Sequence, residues 1–311
     1  MKTQKKRSPL PLLLVKILGG LLVSFIIFCL VVDQFVQYRL SDKELFTFFK
    51  KNNIPGAVHY YEADGRRMRY VSMGNDSLPT LLFIHGSPAS LSIYTDYYKD
   101  TAFLHHFKML AVDRPGYGYS GLGRPETSIQ KQAAMIEPLL SQLQKARRPV
   151  IIMAGSYGTS VACRLVMDFP SLVDGLVLVA PSVAPGEETI YTLSYAAANP
   201  AINWFIPRMI QSANAEKLSH EEELTKMVPY WKNIRIPVMY VQGEKDELID
   251  TTNASFAKKH LTNAPFLSIQ FVKDEPHFIA FSAQKLIKQK IFQMEALLQK
   301  REGLIAGRLE E

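Results

Sequence analysis

A chain of 311 residues can bury a large core, and α/β units of roughly 200–300 residues fold as one domain. Its composition, 47% hydrophobic and 21% charged, excludes an intrinsically disordered protein. The net charge of +7 is concentrated in Lys2, Lys5, Lys6, Arg7 and Lys16, all before the first acid, Asp33. The rest of the chain sets 31 basic against 29 acidic residues, which excludes the concentrated basic face that nucleic-acid binding needs.

The first predicted element is a membrane anchor. Between residues 10 and 32 the only charge is Lys16, and residues 17–32 are without exception apolar or small. As a helix the full run covers about 34 Å, against roughly 30 Å of hydrocarbon. Lys16 can extend its amine toward the headgroups. A cleaved signal peptide competes, but "FCLVVDQFVQ" offers no A-x-A-like site. A buried soluble helix competes less well, because the run is apolar all round. Four positive charges precede the span, whereas Arg39, Lys43, Lys50 and Lys51 beyond it are largely offset by Asp33, Asp42 and Glu44. That asymmetry predicts a single-pass protein with a cytoplasmic N-terminus and an extracytoplasmic main domain, periplasmic in a Gram-negative cell. The expected organisation is an anchor over residues 1–40 and one domain over 41–311.

After a short amphipathic stretch, "AVHYYEADGRRMRYVSMG" reads as a hairpin turned at Asp64-Gly65. Short apolar runs follow at 81–84, 107–112, 150–153, 176–179, 238–241 and 266–272. Segments of helical period, such as "SIQKQAAMIEPLLSQLQKA" and "DTTNASFAKKHL", separate most of them. Apolar strands alternating with helices predict a mostly parallel sheet covered on both faces. Nearly sixty residues between 179 and 238 contain helical pieces and no clear strand, so a small helical cap is expected at about 184–235. Two cysteines, Cys29 in the apolar run and Cys163 on a predicted buried helix, form neither a disulfide framework nor a metal-ligand spacing.

Within this rhythm one serine stands out. In "IIMAGSYGTS" a buried strand runs into Ser156, and "YGTSVACRLVMDFP" then continues as a helix. A serine at such a turn projects its hydroxyl above the sheet edge, with the helix N-terminus favouring negative charge beneath it. Strand and helix approach closely there, so the positions two before and two after the serine must be small; they are Ala154 and Gly158.

These residues resemble the nucleophile elbow, G-x-S-x-G, of the α/β-hydrolase family, with Ala154 in place of the first glycine. "LLFIHGSPAS" is similar to the family's H-G-x-P loop after the third strand, and "AVDRPGYGYSG" to the segment after the fourth. The resemblance covers roughly residues 57–300. It implies an α/β-hydrolase fold with an eight-stranded sheet, a helical cap and no required metal or organic cofactor. It also implies an oxyanion hole formed by the backbone N–H groups of Ser87 and Tyr157. His85 is expected to brace the H-G-x-P loop, and Asp113 and Arg114 to tie loops together.

A serine hydroxyl needs a base, and the base needs an acid to hold its tautomer. The order implied by the resemblance is serine, acid, histidine. "VMYVQGEKDELID" offers Asp246 just beyond a strand, and "IQFVKDEPHFIAF" offers His277 beyond the last one. Both fall at carboxyl ends of strands, where open α/β sheets build their sites. Glu244 lies too near its strand, and Asp250 is expected to cap the next helix. His59, His105, His106, His220 and His260 fall on elements without an elbow partner. The expected triad is Ser156, Asp246 and His277.

Family members that displace carbon use an aspartate at the elbow, whereas serine points to attack on a carbonyl and an acyl-enzyme. Carboxylic ester hydrolysis is the first expectation. Thioester or carbon–carbon hydrolysis, acyl transfer, and a non-catalytic binding module are alternatives. The predicted cap contributes Tyr191, Tyr195, Trp204, Phe205, Met209, Met227, Tyr230 and Trp231. Some must pack the cap, and Tyr191, Trp204, Phe205 and Trp231 are the candidates to line a pocket for an apolar or aromatic acyl group. The expected partners are a small ester-like substrate and the membrane.

Overall fold

Most of the chain's apolar runs become strands that bury both faces, and the last, at 266–272, becomes a half-buried edge strand. The structure, a computed structural model, describes residues 10–142 and 148–309. The strands are β1 (Gly56–Ala63), β2 (Arg66–Met73), β3 (Thr80–Ile84), β4 (Lys108–Val112), β5 (Val150–Gly155), β6 (Gly175–Val179), β7 (Val238–Gly243) and β8 (Leu267–Val272). They form one sheet in the order β1-β2-β4-β3-β5-β6-β7-β8. β1 pairs antiparallel with β2, and β2 with β4; every pairing from β4 to β8 is parallel. The hairpin turns where expected, with Asp64 at φ 47° and Gly65 at φ 66°, the left-handed pair a tight two-residue turn requires. β4 begins one residue later than the apolar run, because the N–H of Phe107 closes the preceding helical turn on Phe103 O at 2.8 Å.

Alternation along each central strand feeds two cores. On β3, Leu82 and Ile84 face one side and Leu81 and Phe83 the other. One side packs under the helices Ile129–Ser141 and Gly158–Asp168, the other under the aromatic cluster Tyr94, Tyr97, Tyr98, Phe103 and Phe107 and the last helix, Gln284–Leu309. The predicted helix ending at residue 146 is described to residue 142; its last residues lie outside the described ones.

The first helix runs from Leu10 to Phe35, and its stretch Leu12–Phe35 is long and apolar enough to cross a membrane. Lys2, Lys5, Lys6 and Arg7, on which the orientation argument leans, lie outside the described residues. The end of this helix is bound to the rest of the protein. Asp33 accepts hydrogen bonds from the Arg208 backbone N–H at 2.7 Å, from Nε at 3.0 Å and from Nη2 at 2.7 Å. Phe25 packs against Phe205 with centroids 5.1 Å apart. The following residues are held as firmly. Arg39 donates to Gly118 O and lies 4.1 Å above the Tyr119 ring. The Leu40 N–H donates to Ser92 Oγ at 2.9 Å, and Arg69 Nη1 donates to Leu40 O at 2.9 Å. A capping box between Ser41 and Glu44 then starts the helix Asp42–Lys51.

Between β6 and β7 the chain forms the helices Thr192–Ala198, Pro200–Asn203 and Arg208–Met227 and a 3-10 turn, Val228–Asn233. The long helix Arg208–Met227 buries a stripe at helical spacing that is largely polar: Met209, Ser212, Glu216, His220, Glu223, Leu224 and Met227. Its anchor is an ion pair wholly out of solvent, in which Arg114 Nη1 meets Glu216 Oε1 at 2.6 Å and Nη2 meets Oε2 at 3.1 Å. Burial works against the Arg114 charge, and the Glu216 carboxylate more than offsets that, so the guanidinium holds its proton more tightly than usual. Ser212 Oγ donates to Gly116 O at 2.8 Å, and Glu223 accepts the Ile129 N–H at 2.9 Å.

Breaking a buried pair on one side leaves an uncompensated charge. Glu216→Ala is therefore expected to cost about 3–5 kcal/mol and Glu216→Gln less. Urea midpoints of the two variants against the parent chain in one detergent measure this; equal midpoints would show that the pair does not hold the cap.

Candidate active site

The site begins with backbone geometry. β5 ends at Gly155, Ser156 sits at φ 50°, and the helix Gly158–Asp168 starts two residues later. A non-glycine residue in this region costs on the order of 1–3 kcal/mol and persists only where its surroundings over-determine it. Here the Ser156 N–H donates to Val179 O at 2.9 Å, while Ser156 O accepts from Thr159 N at 2.9 Å and Thr159 Oγ1 at 2.6 Å. Contact with the loop after β3 is equally tight. A Cβ on Gly158 would lie 2.5 Å from His85 O and 2.7 Å from Ile84 O, and one on Gly86 would lie 2.9 Å from Ser156 Cβ. Ala154 is completely buried in the sheet, so its methyl fits where the family pattern has glycine.

Ser156 meets two side chains from distant loops. His277 Nε2 is 3.1 Å from Ser156 Oγ, and His277 Nδ1 is 2.9 and 3.0 Å from the two carboxylate oxygens of Asp246. The Asp246 side chain is fully buried and that of His277 is 11% exposed. A carboxylate can only accept, so the imidazole proton sits on Nδ1, and Nε2 offers its lone pair to the serine hydroxyl. Asp246 Oδ1 also accepts the N–H groups of Leu248 and Ile249 at 3.0 and 2.9 Å, which fixes the loop after β7. Gly243 lets this loop and the loop after β8 come together: a Cβ there would stand 2.1 Å from Glu275 O. Asp250 accepts the N–H of Thr252, the first residue of the helix Thr252–His260, at 2.8 Å.

Ser87 belongs to the loop packed on Ser156. Its hydroxyl contacts Tyr117 OH at 2.7 Å, and Tyr117 OH in turn donates to Glu216 Oε2 at 2.5 Å. The Ser87 hydroxyl is thus engaged with a phenol, and Ser87 lines the same space as Ser156, Tyr157 and His277. His85 accepts the Arg114 N–H on Nε2 at 3.0 Å, and its Nδ1 bonds Gly86 O at 2.7 Å. Burial, with Arg114 adjacent, pushes its imidazole well below the ordinary histidine value, so it stays neutral and braces the loop. Arg114 Nε and Nη2 donate to His85 O and Gly86 O, and Asp113 accepts the N–H groups of Leu91 and Tyr119.

Two chambers meet at Ser156 and His277. The smaller, about 320 Å³, lies under the cap and is lined by Tyr191, Lys217 and His220 among others. The larger, about 1080 Å³, extends the other way, to residues 34–40. The expected pocket residues need correcting. Tyr191 lines the smaller chamber, but Trp204, Phe205 and Trp231 line neither. Trp204 and Phe205 pack with ring centroids 3.7 Å apart, and Phe205 seats the cap against Phe25 of the first helix. Trp231 is buried in the core against Phe256.

One neighbour of the site had no apolar signal. His220 is buried with Nε2 3.1 Å from Ser160 Oγ, Nδ1 2.7 Å from Glu188 Oε2 and its ring 4.5 Å from that of Tyr157. Its position four residues after Glu216, on a stripe of polar residues, is the pattern that could have found it. Ser160 is itself completely buried and donates to Ser182 O, so it is not a second free hydroxyl. Cys163, also buried, has its thiol pushed up by burial and is no nucleophile. Among the described residues no group of three or more His, Cys, Asp or Glu side chains is placed to hold a metal ion.

Comparison with known proteins agrees with this architecture. Residues 79–223 match the family described as alpha/beta hydrolase fold. A 122-residue stretch is 28% identical to epoxide hydrolase 3 of Mus musculus, covering 38% of this chain and 31% of that enzyme's length. A membrane phospholipase A, described as a bacterial virulence factor, superposes with a TM-score of 0.63 at 16% identity over 93% of this chain and 97% of its own. A peroxisomal alpha-beta-hydrolase of Saccharomyces cerevisiae superposes with a TM-score of 0.63 at 13% identity, covering 79% and 90%.

The backbone atoms facing Gly158 cannot move aside as a side chain would. Gly158→Ala is expected to destabilise the fold by roughly 1–3 kcal/mol, in the range of other overpacked sites. A thermal or denaturant midpoint within error of the parent chain would show that the elbow tolerates a methyl group.

Proposed function

Since this chain is a member of the α/β-hydrolase superfamily, we propose that it is a membrane-anchored serine hydrolase that cleaves carboxylic esters. One observation carries the reading: Ser156 Oγ lies 3.1 Å from His277 Nε2, whose other nitrogen faces Asp246. In the proposed reaction the hydroxyl attacks the substrate carbonyl carbon as His277 takes its proton, and Asp246 stabilises the imidazolium that forms. The N–H groups of Ser87 and Tyr157 receive the negative charge on the carbonyl oxygen, each contributing a few kcal/mol to the transition state. Collapse expels the alcohol, which leaves with the proton from His277. Water, deprotonated by the same nitrogen, then releases the acid and restores the serine.

A hydroxyl at the elbow favours this chemistry over epoxide opening, despite the partial likeness to epoxide hydrolase 3, because displacement at carbon in this family uses an aspartate. The first helix serves as the anchor in this reading. Its end is joined to the cap by Asp33 and Arg208, so the site is held at a constant place relative to the span. The main domain then lies outside the cytoplasm, as the charge asymmetry at the N-terminus predicts.

Ser156→Ala is expected to abolish hydrolysis of p-nitrophenyl butyrate. Asp246→Asn keeps the shape but favours the wrong tautomer, and is expected to lower kcat by on the order of 10³–10⁴ with KM little changed. Steady-state kinetics of the full chain in detergent decide this. Ser156→Ala with parental activity, in a folded protein, would rule the mechanism out.

A further inference from the structure

Resting on that reading, we propose that the substrates are long-chain acyl esters, and that residues 34–40, at the end of the first helix, are a wall of the chamber that receives the acyl chain. The larger chamber starts at Ser156 and His277 and ends at Gln34, Phe35, Gln37, Tyr38, Arg39 and Leu40. Its volume of about 1080 Å³ stands at the top of the roughly 300–1,000 Å³ range of small-molecule sites. An acetyl or butyryl group would leave most of it unfilled. It presents Phe35, Leu40, Ile93, Phe278 and Phe281, a surface suited to methylenes, alongside the polar Gln34, Gln37, Arg39 and Glu44.

The place where the chamber opens matters as much as its size. The apolar stretch of the first helix stops at Asp33, and the chamber's lining begins at the next residue, Gln34. A span of about 30 Å of hydrocarbon ending there puts the opening at the membrane surface. Tyr38, 62% exposed, is an aromatic residue of the kind enriched at such an interface, and Phe35, 80% exposed, adds apolar surface beside it. The cap lies on the same side: Phe205 touches Phe25 inside the apolar stretch, and its neighbour Trp204 is 52% exposed. An acyl chain leaving a bilayer could enter the chamber without crossing water.

The wall is built and not incidental. Arg39 is held over Tyr119 and on Gly118 O, Leu40 N–H on Ser92 Oγ, Tyr38 O on Ser90 Oγ and Asp33 on Arg208. Ser90, Ser92 and Tyr119 also line the chamber, so the same residues that dock the segment shape the cavity. The end of the anchor is therefore part of the substrate site as well as a tether.

The test uses the full chain in detergent micelles and p-nitrophenyl esters from acetyl to palmitoyl. Each methylene that enters an apolar site improves binding by roughly fourfold, so kcat/KM is expected to rise by at least about a hundredfold between acetyl and dodecanoyl. Leu40→Trp and Ile93→Trp narrow the chamber from opposite elements. In each, the dodecanoyl-to-acetyl ratio of kcat/KM should fall by about tenfold or more. Phosphatidylcholine vesicles with oleoyl chains form the second arm. Fatty acid released from them identifies the bilayer as a source of substrate, while cleavage of the monomeric long-chain ester alone identifies dissolved acyl esters. Either outcome supports the acyl chamber. A preference for acetyl and butyryl esters, or a chain-length ratio that neither substitution moves, overturns it. With Ser156→Ala as control, activity confined to short esters refutes this inference alone, whereas no Ser156-dependent activity on any ester refutes the hydrolase reading beneath it.

Discussion

Close approach of backbone at three glycines is the constraint on which the candidate site depends. Gly158 lets the elbow helix lie on the carbonyls of Ile84 and His85, and Gly86 lets the loop after β3 touch Ser156. Gly243 lets the loops after β7 and β8 meet, so that Asp246 can reach His277. Each removes one methyl group from a place where no side chain could yield. The strained φ of 50° at Ser156 is the other face of this constraint, since the residue is held from above by β6 and from below by its own helix. Side chains 121 and 31 residues apart in sequence then fall within hydrogen-bond reach without any of them being long.

Polar contacts extend this frame outward. Arg114 ties the carbonyls of His85 and Gly86 to Glu216 on the cap, and Glu216 holds Tyr117, which holds the Ser87 hydroxyl. The long cap helix and the loop that carries Ser87 are thereby joined through one chain of contacts. A buried ion pair of this kind adds little net stability over an apolar pair, but it specifies one arrangement, because every alternative leaves a charge unpaired. At the far end of the cap the pair between Arg208 and Asp33 does the same for the first helix. Anchor-length helix, cap and sheet are thus joined by two charged contacts, one fully buried and one partly so.

Much of the sheet was legible because strands buried on both faces must be apolar throughout, and five such runs, with a sixth at the sheet edge, leave few arrangements when helical periods separate them. The turn at Asp64-Gly65 was legible for the same kind of reason, since few residue pairs accept two positive φ angles. The meeting of Ser156, Asp246 and His277 is foreshadowed by chain order and by loop position after strands, although order says nothing about distance. The pocket was not legible. Aromatic content in the cap drew attention to Trp204, Phe205 and Trp231, but an aromatic side chain gains as much by packing against another helix as by lining a cavity, and nothing in the local pattern separates the two. Residues 34–40 read in the sequence as the end of an anchor, because the residues with which they line a chamber, 86–95 and 277–281, lie far along the chain. His220 and Glu216 escape apolar periodicity for a third reason: it does not register a buried stripe that is polar, and only their spacing of four residues marks them.

The central claim, that Ser156 is the activated nucleophile, is tested most directly by chemistry that depends on activation and not on a chosen substrate. A fluorophosphonate reacts with a serine oxygen only where a base and an oxyanion site assist it. Peptide mapping by mass spectrometry after treating the folded, full-length chain is predicted to find one phosphonylated residue, Ser156, in a peptide containing Gly155, Tyr157 and Gly158. A folded protein that stays unmodified, or one modified at Ser87 instead, would contradict it.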